Sequence, residues 1–358
     1  MKLLYCYNIH DIVKVKSEVS LYELEYFSSN EFADADLVIN VKDSIASGIH
    51  FKRTLIPDLS PEYHKVKYSE HFGRLGAQFS IEFSNKVNIA VNKLITTSRH
   101  VIYVNLVEPI LRFLLISKGF VLLHSACIDI KGHGVLFSAP PDTGKTTTVL
   151  KCIKSGFSFL SDDMTIVRLP NEAMCFPKPM TISAHTYKTA TTVADNDQDK
   201  LQYRLRSLVH SKKGRQFMHK LANYNVPIFT LNTVGQAIIK PPKFKIENLL
   251  HSVNIQEKTR VKSLYFLERD GNEQTEQVTT KVALRKAIEN SDDAFLFPPY
   301  ADLIHYINIG GKTAKELLQE ERSMLEKLLK EVDCWIIKSD KRAWYQMIIE
   351  IAQPKVNK

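Results

Sequence analysis

The stretch GVLFSAPPDTGKTTTVLKCIKSGFSFLSDD, Gly134 to Asp163, constrains this chain more than any other. Val135, Leu136 and Phe137 are a short apolar run of the kind that makes a buried strand, and APPDTGKT, Ala139 to Thr146, follows directly. From Thr146 to Lys154 the apolar residues Val149, Leu150 and Ile153 recur at helical spacing, and Gly156 stands where helices commonly stop. Phe157 to Leu160 predict a second strand that runs out into Ser161, Asp162 and Asp163. Strand, loop, helix, strand and acidic pair in that order predict an α/β fold.

Successive backbone N–H groups in such a loop, with the positive end of the following helix, form a concave anion site. Lys145 adds a mobile charge for the outer phosphates of a nucleotide. Ala139 stands where such loops usually begin with glycine, and Pro140 and Pro141 have no N–H to donate. The nucleotide-holding set therefore begins later, at Asp142, Thr143, Gly144, Lys145, Thr146 and Thr147. Thr146 offers a hydroxyl to a magnesium ion. If the second strand pairs beside the first, Asp162 and Asp163 lie across the phosphates, one to hold metal and the other to take a proton.

From His124 to Val167, HSACIDIKGHGVLFSAPPDTGKTTTVLKCIKSGFSFLSDDMTIV, the chain resembles the catalytic core of the HPr kinase/phosphorylase family, itself related to ATP-dependent phosphoenolpyruvate carboxykinases. The similar parts are the histidine opening a strand, the GHG turn, the loop lysine and hydroxyl, the SG before the second strand and the DD that ends it. The chain departs from that pattern at Asp142, where the family has glycine, and after the acidic pair, where the family has a glycine-rich segment. The resemblance implies a P-loop mixed-sheet core with ATP and Mg2+ as the reacting pair. It implies catalytic roles for His124, near the phosphates, and for Asp162, the general base, and a magnesium site of Thr146 and Asp163. It also implies a seryl hydroxyl as acceptor.

Five cysteines without CxxC spacing predict free thiols in a reducing, cytoplasmic setting and no zinc. The apolar stretch Leu106 to Leu123 carries Glu108, Arg112 and Lys118, so no membrane span is expected. The net charge of +9 favours acidic partners such as nucleotides. Basic residues are mostly dispersed, and SKKGR at Ser211 to Arg215 lacks interleaved aromatics, which argues against nucleic acid.

Before the loop, alternation at Phe79, Ile81 and Phe83, then Val87, Ile89 and Val91, predicts a hairpin. With Leu3 to Tyr7 and Leu37 to Val41 it predicts a β-rich N-terminal module over residues 1–105, followed by a catalytic domain over 106–358 that ends in a helical segment. Glu108 to Lys118 predicts a helix. Val121 to Ile130 predicts one strand, and KGHG a tight turn that brings His124 back to the loop by antiparallel pairing.

Beyond the acidic pair, FPKPM at Phe176 to Met180 predicts an extended connector, with Lys178 on its surface or within reach of substrate. Tyr187 to Gln202 predicts a polar loop, and a basic run follows in which Arg204, Arg206, Lys212, Lys213 and above all Arg215 are able to grip phosphate. Val226 to Ile239 predicts strand and turn, Val261 to Leu267 a strand, and Gly271 to Glu276 a loop. GGKT at Gly310 to Thr313 predicts a helix start, because Thr313 and Glu316 make a capping box. Ser291, Asp292 and Asp293 predict a loop or cap. Taken together these features predict an ATP-dependent kinase acting on a hydroxyl of a protein, peptide or small molecule, with a homo-oligomer allowed. A nucleotide hydrolase that works as a switch and a nucleotide-binding module without turnover stay open.

Overall fold

The structure is a computed structural model that describes the chain apart from residues 1–2, 47–52, 61–62, 141–142, 182–226, 239–242, 251, 271, 296–298, 341–343 and 353–358. The chain is mixed α/β and divides into two compact units. The first comprises Met1–Lys118, Leu208–Pro241 and Phe295–Gln319, and the second Gly119–Ser207, Pro242–Ala294 and Glu320–Lys358.

The first unit is built on a seven-stranded sheet of β1 (Tyr5–Ile9), β2 (Val13–Ser17), β3 (Leu37–Lys42), β4 (Thr54–Leu59), β5 (His64–Phe72), β6 (Leu75–Phe83) and β7 (Val87–Asn92). The strand order is β1-β2-β3-β7-β6-β5-β4, with β2–β3 and β3–β7 parallel and the rest antiparallel. The alternation fixes the register: Phe79 faces Val91, Ile81 faces Ile89 and Phe83 faces Val87, all of them fully buried. A one-residue slip would turn that whole face to solvent.

The helix predicted from Glu108 begins earlier, at Arg99, and passes through a π-helical turn at Tyr103–Val107 before Glu108–Ser117. Arg99–Ser117 is long and apolar enough to cross a membrane, but 83% of that window is buried inside the protein, as in a core helix. Arg112 lies in this buried stretch, with its guanidinium 4.7 Å from the centre of the Phe295 ring.

The stretch expected as strand and turn is instead the helix Ile228–Ile238. Its β-branched residues mislead, because packing overrides propensity. Phe229 seats against Tyr68 and Phe79 with ring centres 5.9 and 5.6 Å apart, and the Glu70 carboxylate accepts the Thr230 N–H at the helix start. Gly310 and Gly311 form the turn between two-residue strands at Asn308–Ile309 and Lys312–Thr313, and the helix Ala314–Lys330 follows. The capping box forms as expected, with Thr313 N–H donating to Glu316 Oε2 at 2.8 Å and Glu316 N–H donating to Thr313 Oγ1 at 3.4 Å.

The second unit carries a nine-stranded sheet. Its strands include β8 (Phe120–Leu123), β9 (Ala126–Ile130), β10 (His133–Ser138), β11 (Ser158–Ser161), β12 (Thr165–Arg168) and β13 (Glu172–Met174). The long strand Lys258–Glu268 runs through the middle, parallel to β10 on one side and antiparallel to β13 and then parallel to Asp333–Lys338 on the other. The order is β11-β9-β10-long strand-β13-β12-β8. One face packs Phe137, Val149, Phe159, Trp344 and Ile348, and the other Leu136, Leu264, Leu284, Leu325 and Leu328.

Four expectations change in this unit. Val121 to Ile130 is not one strand: the chain bends at His124 and Ser125, where Ser125 N–H donates back to the Leu123 carbonyl at 2.8 Å. Gln274–Gln277 is a strand paired to Asp333–Lys338 rather than loop. Ser291, Asp292 and Asp293 lie within the helix Thr280–Phe295 rather than at a cap. Lastly, β11 does not pair with β10, because β9 stands between them, antiparallel to both.

Candidate functional site

The site is built at one edge of the second unit's sheet. Because β9 is antiparallel to both its neighbours, β10 and β11 run the same way and deliver their C-terminal ends to the same edge, about 10 Å apart across the intervening strand. β10 ends at Ser138 and gives the phosphate-type loop, and β11 ends at Ser161 and gives the acidic pair. The turn joining β9 to β10 has φ of 54° at Lys131 and 84° at Gly132, a left-handed pair that suits a tight hairpin, and the Asp129 carboxylate accepts the Gly132 N–H at 2.8 Å.

The loop leads into the helix Lys145–Lys154 through Gly144, whose φ of 128° is open only to glycine without strain. Gly144 at the N-cap has no side chain to cap that helix, whose positive end faces the loop. The hydroxyl of Thr143 donates to the Pro140 carbonyl at 2.7 Å and shapes the loop. Thr147 lies half-buried on the first helical turn. Asp142 and Arg215, both in the expected set, lie outside the described residues, as do the 187–202 loop and the basic run after it.

Lys145, Thr146, Asp162, Asp163 and His124 come together. Thr146 Oγ1 donates to Asp162 Oδ2 at 3.0 Å, so the loop hydroxyl meets the first acid rather than the second. The second carboxylate, Asp163, gathers the cations: its Oδ1 lies 3.3 Å from His124 Nε2 and 3.6 Å from Lys145 Nζ, and its Oδ2 lies 2.7 Å from Lys178 Nζ. Lys178 is therefore not an exposed lysine on a connector. His124 Nδ1 faces the Asn290 carbonyl at 2.8 Å, so the ring sits between that carbonyl and the Asp163 carboxylate.

The two acids differ in character. Burial pushes the Asp162 carboxyl up to about 6, and the neighbouring Asp163 adds to this, while Lys145 and the Thr146 hydroxyl pull the other way. Asp163 also feels burial, but its side chain is 44% exposed, and Lys178, the His124 hydrogen bond and Lys145 together hold it well below the usual carboxylate range. Environments that push two adjacent carboxylates apart are how acid–base roles are separated in a site.

Within this cluster two buried polar atoms, Lys145 Nζ and Asp162 Oδ1, have no hydrogen-bond partner among the described residues. Such atoms cost free energy unless something polar meets them, and an ammonium at a helix N-terminus with a free carboxylate oxygen beside it suits a phosphate and the group that reacts with it. No group of three or more His, Cys, Asp or Glu able to hold a metal ion occurs among the described residues. A magnesium ion held by one hydroxyl, one carboxylate and phosphate oxygens needs no such cluster.

Three further residues complete the site. Asn290 and Ser138 fix His124: Asn290 Nδ2 donates to Ser138 Oγ at 3.0 Å, and Ser138 Oγ donates to the His124 carbonyl at 3.1 Å. Thr165, fully buried, binds the Ser125 carbonyl at 2.9 Å and the Ser161 hydroxyl at 2.5 Å, tying the bend after β8 to the end of β11. No local sequence signal marks Asn290, which arrives from a helix distant in the chain.

No protein-family model matches the chain, and no curated protein matches it in sequence. Among solved structures it is similar to the HPr(Ser) kinase/phosphatase from Coxiella burnetii, with a TM-score of 0.25 and 10% sequence identity, over 64% of this chain and 93% of that one.

Proposed function

We propose that the chain is a phosphotransferase that moves the γ-phosphoryl group of ATP to a hydroxyl group of a protein, peptide or small alcohol. The observation that carries this reading is the Asp162 carboxylate, buried beside the loop lysine, with one oxygen held by Thr146 and the other without a hydrogen-bond partner among the described residues. A carboxyl pushed up to about 6 is deprotonated at neutral pH yet basic enough to take a proton from an attacking hydroxyl. The Thr146 hydroxyl orients it, so the unpaired Oδ1 is the atom that receives the proton.

Lys145 and the uncapped N–H groups of its helix would hold the outer phosphates, with Gly144, Thr143 and Thr147 around them. Thr146 and Asp163 would hold magnesium, which when bound supplies neutralisation of phosphate charge. The transition state of phosphoryl transfer is loose and highly charged, so positive groups fixed beforehand contribute more than a strong base. His124 is held in position beside them by Asn290 and Ser138.

The test is ADP release with and without a panel of serine peptides and alcohols, with the phosphorylated product identified by mass spectrometry. A kinase releases ADP in proportion to acceptor. Release without acceptor would favour the hydrolytic switch, and binding without release a nucleotide-binding module. Lys145→Ala should weaken ATP binding, and unchanged affinity would remove the loop from the account.

A further inference from the structure

The site holds one lysine that the loop motif does not explain. Lys178 sits between Pro177 and Pro179 on a connector stapled to the sheet: Cys175 N–H donates to the Glu257 carbonyl at 2.8 Å, Phe176 N–H to the Leu160 carbonyl at 3.1 Å, and Lys178 N–H to the Phe176 carbonyl at 2.8 Å. Phe176 is buried and anchors the turn. Proline on either side narrows the backbone further. The Lys178 side chain is only 10% exposed, and its ammonium meets Oδ2 of Asp163, while Lys145 and His124 meet Oδ1.

A single ion pair would explain Lys178 as a brace. The arrangement is richer than that, because two lysines and a histidine converge on one carboxylate while Lys145 Nζ is buried with no hydrogen bond among the described residues. Asp162 and Asp163 set two carboxylates against two lysines and a ring donor, yet Lys145 Nζ makes no hydrogen bond among the described residues, and an ammonium withdrawn from water requires a polar partner. A carboxylate and a phosphoryl group present the same kind of paired anionic oxygens to N–H donors. Donors closing on both oxygens of a carboxylate therefore match the donor pattern of a phosphate seat.

We propose that Lys178 is a phosphate-binding residue. His124, Lys145 and Lys178 form a seat for the outer phosphates of a nucleotide, and the Asp163 carboxylate competes for that seat. This rests on the nucleotide reading above and adds to it a third phosphate ligand and a built-in competitor. A polyphosphate carries more charge than the carboxylate it displaces, so Lys178 and Lys145 exchange Asp163 for phosphoryl oxygens when the nucleotide enters.

Calorimetric binding of inorganic pyrophosphate to the full chain, with a chelator present, tests this. Lys178→Met should weaken pyrophosphate binding at least about tenfold and ATP binding comparably, while AMP binding stays within about twofold. Asp163→Asn should tighten pyrophosphate binding several-fold, which a brace would not produce. Unchanged pyrophosphate affinity in a folded Lys178→Met protein overturns the proposal, as does weaker affinity in Asp163→Asn or no pyrophosphate binding by the wild type. If Lys178→Met does not fold, Asp163→Asn decides alone. Acceptor-dependent turnover with pyrophosphate binding indifferent to Lys178 would sink this inference and leave the kinase reading standing. The expected pyrophosphate responses without turnover on any acceptor would do the reverse.

Discussion

At the residue scale the most informative group is Asp162. Its carboxyl holds a proton more tightly in the folded chain than in the unfolded one, with about 6 against the ordinary 3.8. Stability from that group is therefore full below about pH 4 and is lost as pH rises through about 6. Keeping an ionised, half-satisfied carboxylate buried costs on the order of 3 kcal/mol at neutral pH. Asp162→Asn should accordingly stabilise the metal-free protein at pH 8 and make little difference near pH 4, as read from denaturant midpoints at the two values. The same variant should lose phosphoryl transfer by roughly 10²–10⁴-fold while ATP affinity changes only a few fold. Loss of binding and turnover together would make Asp162 structural.

At the element scale the hairpin between β9 and β10 places the loop. Lys131 adopts a left-handed backbone with φ of 54° that asparagine tolerates better than lysine, so Lys131→Asn should raise stability by about 0.5 kcal/mol in urea unfolding. Leu136, fully buried in β10 against Leu264 and Leu284, holds the strand from beneath. Leu136→Ala should cost roughly 2–5 kcal/mol by the same measurement, with an unchanged denaturant slope. Much at this scale was legible, because side-chain alternation writes burial directly into the chain: the β6–β7 hairpin, the loop helix and its stop at Gly156, and the capping box at Thr313. The exceptions share a cause. The helix Ile228–Ile238 looked like strand and the bend at His124 looked continuous, since both are decided by what they pack on, Phe79 for one and Thr165 for the other.

At the scale of the whole molecule, charge comes first. The net charge of +9 supplies a favourable field for polyphosphates beyond any single contact. Raising sodium chloride from about 50 to about 500 mM should weaken ATP binding substantially and AMP binding much less, because screening scales with ligand charge. Equal salt dependence for the two ligands would place the phosphates outside the positive cluster.

The sequence alone determined which groups gather at the loop, since strand, loop, lysine, helix and paired acids are adjacent in the chain and local geometry carries each into the next. It also placed a histidine one hairpin away. It did not determine how the environments of the two acids differ. That difference came from tertiary structure, through β9 lying between β10 and β11, through Thr146 meeting Asp162, and through Lys178 and Asn290 arriving from segments with no local link to the loop. Burial and neighbouring charge set a carboxylate's proton affinity, and both depend on what the rest of the chain brings alongside, which no spacing between residues records.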